Sequence, residues 1–304
     1  MTPLTEVEGR RLALSNLDKV LYAATGTTKG EVLHYYARTA APLLAHLADR
    51  PVSFLRYPDG PGGQHFFTKN PPPGTPSWVR LADVPRTTTQ TGRQVVVGDL
   101  ATLMWAANLV VEFHTPQWRA GAPGLADRLV LDLDPGAPAG VAECCAVALW
   151  LRERLRADGL DAYAKTSGSK GLHVLVPLVR TDSAAVSAYA KGLAVEAEEA
   201  HPELVTHRMR RSLRAGKVFV DHSQNAAAKT TAAPYTLRAR PEPTVSTPVT
   251  WDEVGSCGDA GQLAFRLDDI PERLERYGDL LAPLLDPAPA GRLPPPPPDS
   301  PPPP

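Results

Sequence analysis

The stretch RLVLDLDPG, residues 128–136, constrains the fold of this chain more than any other segment. Extended backbone sends successive side chains to opposite faces. Leu129, Leu131 and Leu133 therefore share one side, while Val130, Asp132 and Asp134 share the other. The pattern reads as a strand with one apolar face and two carboxylates on the opposite one. The Pro135–Gly136 pair that follows is a turn signal, so both acids sit at the strand's end, where ligands usually enter a sheet.

Further apolar, β-branched runs read as strands: SFLRY, RQVVVG, LVVEFH, GLHVLVPLV, KVFVD and YTLRAR. Helices are legible between them. Thr28-x-x-Glu31 is a capping-box pattern opening EVLHYYARTAAPLLAHLAD, in which Val32, Tyr36, Leu43 and Leu47 recur at helical intervals. A second helix is expected over about 139–158, ended by Gly159, and a third over about 183–200. The order strand, helix, strand, helix, strand from RLVLDLD to KVFVD predicts an α+β or α/β sheet domain with helices on its faces. With 304 residues, 43% of them hydrophobic, the chain can bury a core. No repeat or long linker divides it, so residues 1–286 are expected to form a single compact unit. Residues 287–304, PAPAGRLPPPPPDSPPPP, hold eleven of the 33 prolines and are expected to be a disordered polyproline II arm.

Charge is balanced, 32 Lys+Arg against 33 Asp+Glu, so any polyanion must be met by a local basic groove rather than by the whole surface. Cys144 and Cys145 are adjacent and Cys257 stands apart, which excludes CxxC zinc spacing and any readable disulfide framework. The start, MTPLTEVEGR, lacks an apolar signal core, and no run approaches the ~18 apolar residues of a membrane span. A soluble, untargeted, cytoplasmic protein with no membrane partner is expected.

Two carboxylates on one face repel and are costly to desolvate, and a divalent cation held by hard oxygen ligands compensates them directly. A solvated strand end is the alternative. KVFVD ends another predicted strand with Asp221 at its tip, and HSQN follows. Were the strands neighbours, three carboxylates could hold two cations roughly 4 Å apart, an arrangement suited to phosphoryl or nucleotidyl transfer. Between these acids lies KTSGSKGLHVLV. Its Gly168 and Gly171 permit close backbone approach to a ligand, and their N–H groups could line an anion. Ser167 and Lys170 add a hydroxyl and a charge. Neither Walker A spacing nor the GxSxG elbow is present, and a bare hairpin turn is the alternative.

Several basic and aromatic residues fit nucleic acid. HRMRRSLRAGK carries Arg208, Arg210, Arg211, Arg214 and Lys217 just before the Asp221 strand. In HFFTKN, consecutive Phe66 and Phe67 on a strand would send one ring to the core and the other outward, where bases could stack. Arg238 and Arg240 of YTLRAR alternate with Leu237 and Ala239, so both guanidiniums would share a face and could grip triphosphate oxygens.

DLD, then SGSKGLHV, then VFVDHSQN resemble the three active-site motifs of the archaeo-eukaryotic primase superfamily. The chain looks most like the polymerase domain of bacterial ligase D, which works in nonhomologous end joining. LSNLDKVLY, HFFTKNPPPGTPSW, LVVEFHTPQW and DHSQNAAAKTTAAPYTLRARPEPTVSTPVTWDEV share that look, so the likeness covers about residues 10–280. It implies a primase-like α+β fold: a mostly antiparallel or mixed central sheet with an RRM-like catalytic core, flanking helices and an N-terminal α/β subregion. It implies Asp132, Asp134 and Asp221 as catalytic ligands of two Mn2+ or Mg2+ ions. Ser167, Lys170, His173 and Gln224 are implied in the nucleotide site. His114 of EFH is implied near the ribose 2'-hydroxyl, in keeping with the family's ribonucleotide preference. Lys19 and Lys29 match lysines proposed to hold a DNA 5'-phosphate beyond a gap.

The ligase and nuclease domains that often accompany this module are not among these residues, so catalysis is implied and ligation is not. The expected function is a repair polymerase that adds NTPs or dNTPs to primer 3'-ends at gapped or broken DNA, with Ku and a separately encoded ligase as partners. A noncatalytic DNA-end binding or bridging module, a de novo primase and a metal-dependent phosphoesterase are the other readings.

Overall fold

The computed structural model describes residues 4–85, 90–259, 261–288 and 290–295. They gather into two compact units built from separated stretches of chain. One runs to Thr115 and takes in Thr231–Ser246 and Phe265–Gly278. The other comprises Pro116–Thr230, Thr247–Ala264 and the chain from Asp279 onward. No single cut in sequence separates them, which is why composition marks no boundary before residue 286.

The first unit begins with strands β1 (Leu4–Val7), β2 (Arg10–Ala13), β3 (Val20–Tyr22) and β4 (Thr27–Thr28), then helices α1 (Lys29–Arg38) and α2 (Ala40–Leu47). It continues with β5 (Pro51–Arg56), β6 (Phe66–Thr68), β7 (Leu81–Pro85), β8 (Thr91–Val96), α3 (Leu100–Ala107) and β9 (Val111–Thr115). The second unit supplies β10 (Leu125–Pro135), α4 (Val141–Ala157), β11 (Tyr163–Thr166), β12 (Leu172–Asp182), α5 (Ser183–Ala200), β13 (Val205–Thr206) and β14 (Val218–Asp221). The chain returns to the first unit with β15 (Thr231–Ala232), to the second with β16 (Pro248–Val249) and α6 (Trp251–Gly255), and again to the first with α7 (Asp269–Tyr277).

The first unit's main sheet has the order β15-β9-β5-β8-β7, with β6 also against β5. Tyr22, Tyr35, Tyr36, Phe54, Tyr57 and Phe113 fill its core. The second unit's sheet runs β13-β14-β10-β12-β11-β16, antiparallel except for the β13–β14 pair. On β10 the leucine face is fully buried, Leu129, Leu131 and Leu133 each at 0% exposure, beneath α4 and α5. Each such side chain contributes about 1.5–3 kcal/mol. The other face carries Val130, Leu175 and Tyr163 packed by Leu281 and Leu284, and the acids lie beyond this apolar row.

Both helices expected in this half form within two residues of their expected ends, and α4 stops at Gly159, whose φ of +74° suits a residue without Cβ. The Thr28 capping box also forms. The helix it opens is shorter than expected: α1 ends at Arg38, Thr39 leaves helical geometry with ψ 11°, and α2 begins afresh at Ala40. Pro42 has no N–H to give Arg38, so it is accommodated in the first turn of a new helix. YTLRAR is not a strand. Tyr235 adopts φ +65°, Arg240 N–H closes on Arg238 C=O, and only Leu237 makes a bridge, to Val245. Order also persists past residue 287, because Gly291 exchanges backbone hydrogen bonds with Pro177 and Val179 on the edge of β12 that β11 leaves uncovered. The last nine residues of the proline-rich stretch lie outside the described residues. Among the described residues no helix is long and apolar enough to cross a membrane.

Candidate active site

Strand register builds the site. Asp132 on β10 stands opposite His173 on β12 and opposite Asp221 on β14, while His173 stands opposite Lys165 on β11. Directly paired residues of antiparallel strands project to the same face, with Cβ atoms about 4.5–5.5 Å apart. Lys165, His173, Asp132 and Asp221 thus form one row across four strands. Asp134, two residues along β10, faces the same way opposite Phe219. His173 Nε2 lies 3.3 Å from Asp132 Oδ1.

Burial grades along the face. Asp134 is exposed, Asp132 half-buried and Asp221 only 8% exposed. Asp221 is held by its own turn: Oδ1 accepts from Ser223 N–H at 3.0 Å and Ser223 Oγ at 2.6 Å, and Oδ2 accepts from Gln224 Nε2 at 2.9 Å. These donors draw its carboxylate toward residues 222–225. Among the described residues no three His, Cys, Asp or Glu side chains converge tightly enough to form a ready-made ion cage. The donor chemistry fits hard divalent cations all the same. Three carboxylates from two adjoining strands share one face, and their repulsion calls for positive charge.

The turn between β11 and β12 is closed from within. Ser167 Oγ accepts from Ser169 N–H at 3.1 Å and Gly171 N–H at 3.2 Å, so the Gly171 amide expected to line an anion is already engaged. Gly171 is needed for contact instead: a Cβ there would lie 1.8 Å from Leu133 C=O. Lys170 projects exposed from the turn tip. Arg214 joins this face, its guanidinium 3.6 Å from the ring centroid of Phe219, the residue opposite Asp134. Arg214 follows a single short helical turn, Arg211–Leu213.

The first unit holds the remaining sequence-derived residues. His114 on β9 donates from Nε2 to Glu112 Oε2 at 2.8 Å; Arg238 Nε donates to the same oxygen at 2.9 Å, and Ala239 N–H to Oε1 at 2.6 Å. Burial pushes the Glu112 carboxyl up, but the His114 hydrogen bond and the Arg238 charge outweigh it and hold the group at about 2. An ionised carboxylate can only accept, so His114 donates its Nε2–H to Glu112. Arg240, exposed, is not part of this cluster, and the shared face expected for the two arginines is lost with the strand. Phe66 and Phe67 are both exposed, 44% and 55%, so neither enters the core. They lie on a short strand at the β5 edge, where Phe67 meets the His114 ring edge-on at 6.1 Å. Lys19 and Lys29 are joined through Lys29 N–H to Lys19 C=O at the start of α1. Burial and then the Lys19 charge pull the Lys29 ammonium down to about 8.

Three residues escaped sequence reading. Lys165, 1% exposed, begins the KTSGSKG stretch just outside its serine–glycine turn. Glu112 alternates with His114 in EFH, a same-face signal visible in the sequence. Asn225, 0% exposed, ends HSQN, and no local pattern betrays its long-range bonds to Val130.

An antiparallel sheet with helices behind it and a row of aspartates in front is the catalytic-core layout of the archaeo-eukaryotic primases. A family model described as "LigD, primase-polymerase domain" matches residues 28–281, and the chain belongs to that family. It is 44% identical over 283 residues to the multifunctional non-homologous end joining protein LigD of Mycolicibacterium smegmatis, covering 92% of this chain and 37% of that protein. With the bifunctional non-homologous end joining protein LigD of Bacillus subtilis it shares 29% identity over 272 residues, 88% of this chain and 43% of that one. The chain thus spans about two-fifths of the length of these relatives. The solved polymerase domain from Mycobacterium tuberculosis ligase D in complex with DNA matches with a TM-score of 0.85 at 42% identity, covering 90% of this chain and 98% of that one.

Proposed function

We propose that this chain is a primase-type nucleotidyltransferase that extends primer 3'-hydroxyls at DNA gaps and broken ends in nonhomologous end joining, with a preference for ribonucleotides. The observation that carries the reading is Asp132 directly opposite Asp221 with Asp134 on the same face. The relatives' names, with the DNA in the solved M. tuberculosis domain, support it.

Asp132, Asp134 and Asp221 would hold two divalent ions, Mn2+ or Mg2+, which when bound neutralise charge on the attacking and leaving oxygens. The protein's own groups position the reactants. Lys170 is a mobile point charge for triphosphate oxygens, and Arg238 offers a more rigid guanidinium. Ser167, His173 and Gln224 complete the nucleotide site. His114 Nδ1 can accept a hydrogen bond from a ribose 2'-hydroxyl, which deoxyribose lacks. Lys19 and Lys29 suit a DNA 5'-phosphate, the exposed Phe66 and Phe67 rings suit stacking on bases, and Arg214 adds charge for the DNA backbone. Ku and a DNA ligase activity are the proposed partners, and the cytoplasm the proposed location.

The engaged Asp221 carboxylate favours one second reading, a noncatalytic module that binds or bridges DNA ends. Primer extension on gapped, 5'-phosphorylated DNA with Mn2+ and NTPs separates the two. The folded wild-type protein is expected to incorporate nucleotides, and Asp132→Ala to abolish incorporation while keeping DNA affinity. Wild-type binding without any incorporation would overturn the catalytic reading.

A further inference from the structure

The β10–β14 ladder ends unusually. Leu133 pairs with Val220 and Asp132 with Asp221, so regular pairing would next bring residues 222 and 223 opposite Leu131 and Val130. The chain turns away at His222 instead. The place opposite Val130 is taken by a side chain: Asn225 Oδ1 accepts from Val130 N–H at 2.9 Å, and Asn225 Nδ2 donates to Val130 C=O at 2.7 Å. Nδ2 also donates to His222 C=O at 2.9 Å. A carboxamide offers one acceptor and one donor, the same complement as a backbone residue in a ladder. Val130 and Asn225 are both fully buried, so in the folded protein the carboxamide rather than bulk solvent meets these groups.

This substitution has a chemical consequence at Asp221, four residues before Asn225. In a continued strand, Ser223 N–H would pair with Val130. Released from that duty, it caps Asp221 Oδ1, and the same turn lets Gln224 reach Oδ2. We infer that Asn225 is the positioning residue of this site: its carboxamide replaces a strand rung, and so frees the Ser223–Gln224 turn to aim the Asp221 carboxylate. The inference rests on the reading of Asp221 as a metal ligand and adds how that ligand is set.

Without the carboxamide the chain has two courses. It leaves Val130 with an unmet buried donor and acceptor, or it draws Ser223 into the ladder and releases Asp221. Either course disturbs the ligand, and losing the groups that orient a metal-binding carboxylate typically costs roughly 10- to 100-fold in metal affinity.

The test uses the full chain without DNA or nucleotide. Mn2+ binding, followed by the electron paramagnetic resonance of free Mn2+, is expected to weaken roughly 10- to 100-fold in Asn225→Ala. Amide hydrogen exchange at Val130 is expected to accelerate at least tenfold in the metal-free variant. Asn225→Asp serves as rescue. Its carboxyl, when protonated, can again donate to Val130 C=O and accept from Val130 N–H, so its exchange rate relative to wild type should return toward one as pH falls. The Asn225→Ala ratio should stay flat. Wild-type Mn2+ affinity in folded Asn225→Ala, or unchanged Val130 exchange, overturns the inference. Should Asn225→Ala fail to fold, a pH-independent exchange ratio in Asn225→Asp overturns it. Loss of the metal reading would show separately, as wild-type protein that binds no Mn2+ while the exchange differences persist.

Discussion

Replacing Glu112 by Gln removes the charge that orders the β9 end of the first unit. Glu112 is 1% exposed and takes three donors, from His114, Arg238 and Ala239. Its carboxyl titrates at about 2 in the fold, against 4.5 for an ordinary glutamate. A depressed acid contributes stability above its unfolded value and loses it as pH falls through the folded one. The contribution is therefore full above about pH 4.5 and fades toward pH 2. That depression corresponds to about 3 kcal/mol at neutral pH and about 1.5 kcal/mol at pH 3. Glutamine keeps the shape but turns an N–H group toward a donor, so the variant forgoes the charge and at least one hydrogen bond. Urea denaturation of both proteins at pH 7 and pH 3 reads the difference. The stability gap is expected to be about 3 kcal/mol at pH 7 and to shrink by about half at pH 3. A gap below about 1 kcal/mol at pH 7, or one equal at both pH values, would refute an ionised, buried Glu112 as the anchor of His114 and Arg238.

Lys29→Met is expected to remove the preference for 5'-phosphorylated over 5'-hydroxyl DNA by roughly tenfold in titrations near pH 7. In the wild type that preference should decline above about pH 8, where the buried ammonium loses its proton; a flat profile from pH 7 to 9 would count against it. Phe67→Ala, at an exposed position, should leave urea stability within about 0.5 kcal/mol while weakening DNA binding by about 1–3 kcal/mol. Gly171→Ala must move Leu133 C=O, and denaturation should show a loss of about 2 kcal/mol or more; a smaller loss would mean that the turn and β10 can part freely.

What could be read in advance was what neighbours in sequence impose on one another. The alternation of RLVLDLD gave β10 its leucine face and its acid face, and the helical spans of α4 and α5 followed from spacing and Gly159. The capping box placed the start of α1 because both its partners lie within one turn. Local pattern misled where backbone conformation departed from it. YTLRAR alternates like a strand, yet φ +65° at Tyr235 and the nearby prolines prevent a ladder, and Arg238 answers to Glu112 instead.

By itself, then, the sequence determined that two carboxylates project together from a strand end, that a third follows at the tip of another, and which kinds of chemistry such groups serve. Only the tertiary structure decided that Asp221 stands opposite Asp132, that Lys165 and His173 extend the same row, and that Asn225 stands in for a rung of the sheet. Strand register couples residues some ninety positions apart, and a slip of one residue would turn every such side chain to the opposite face.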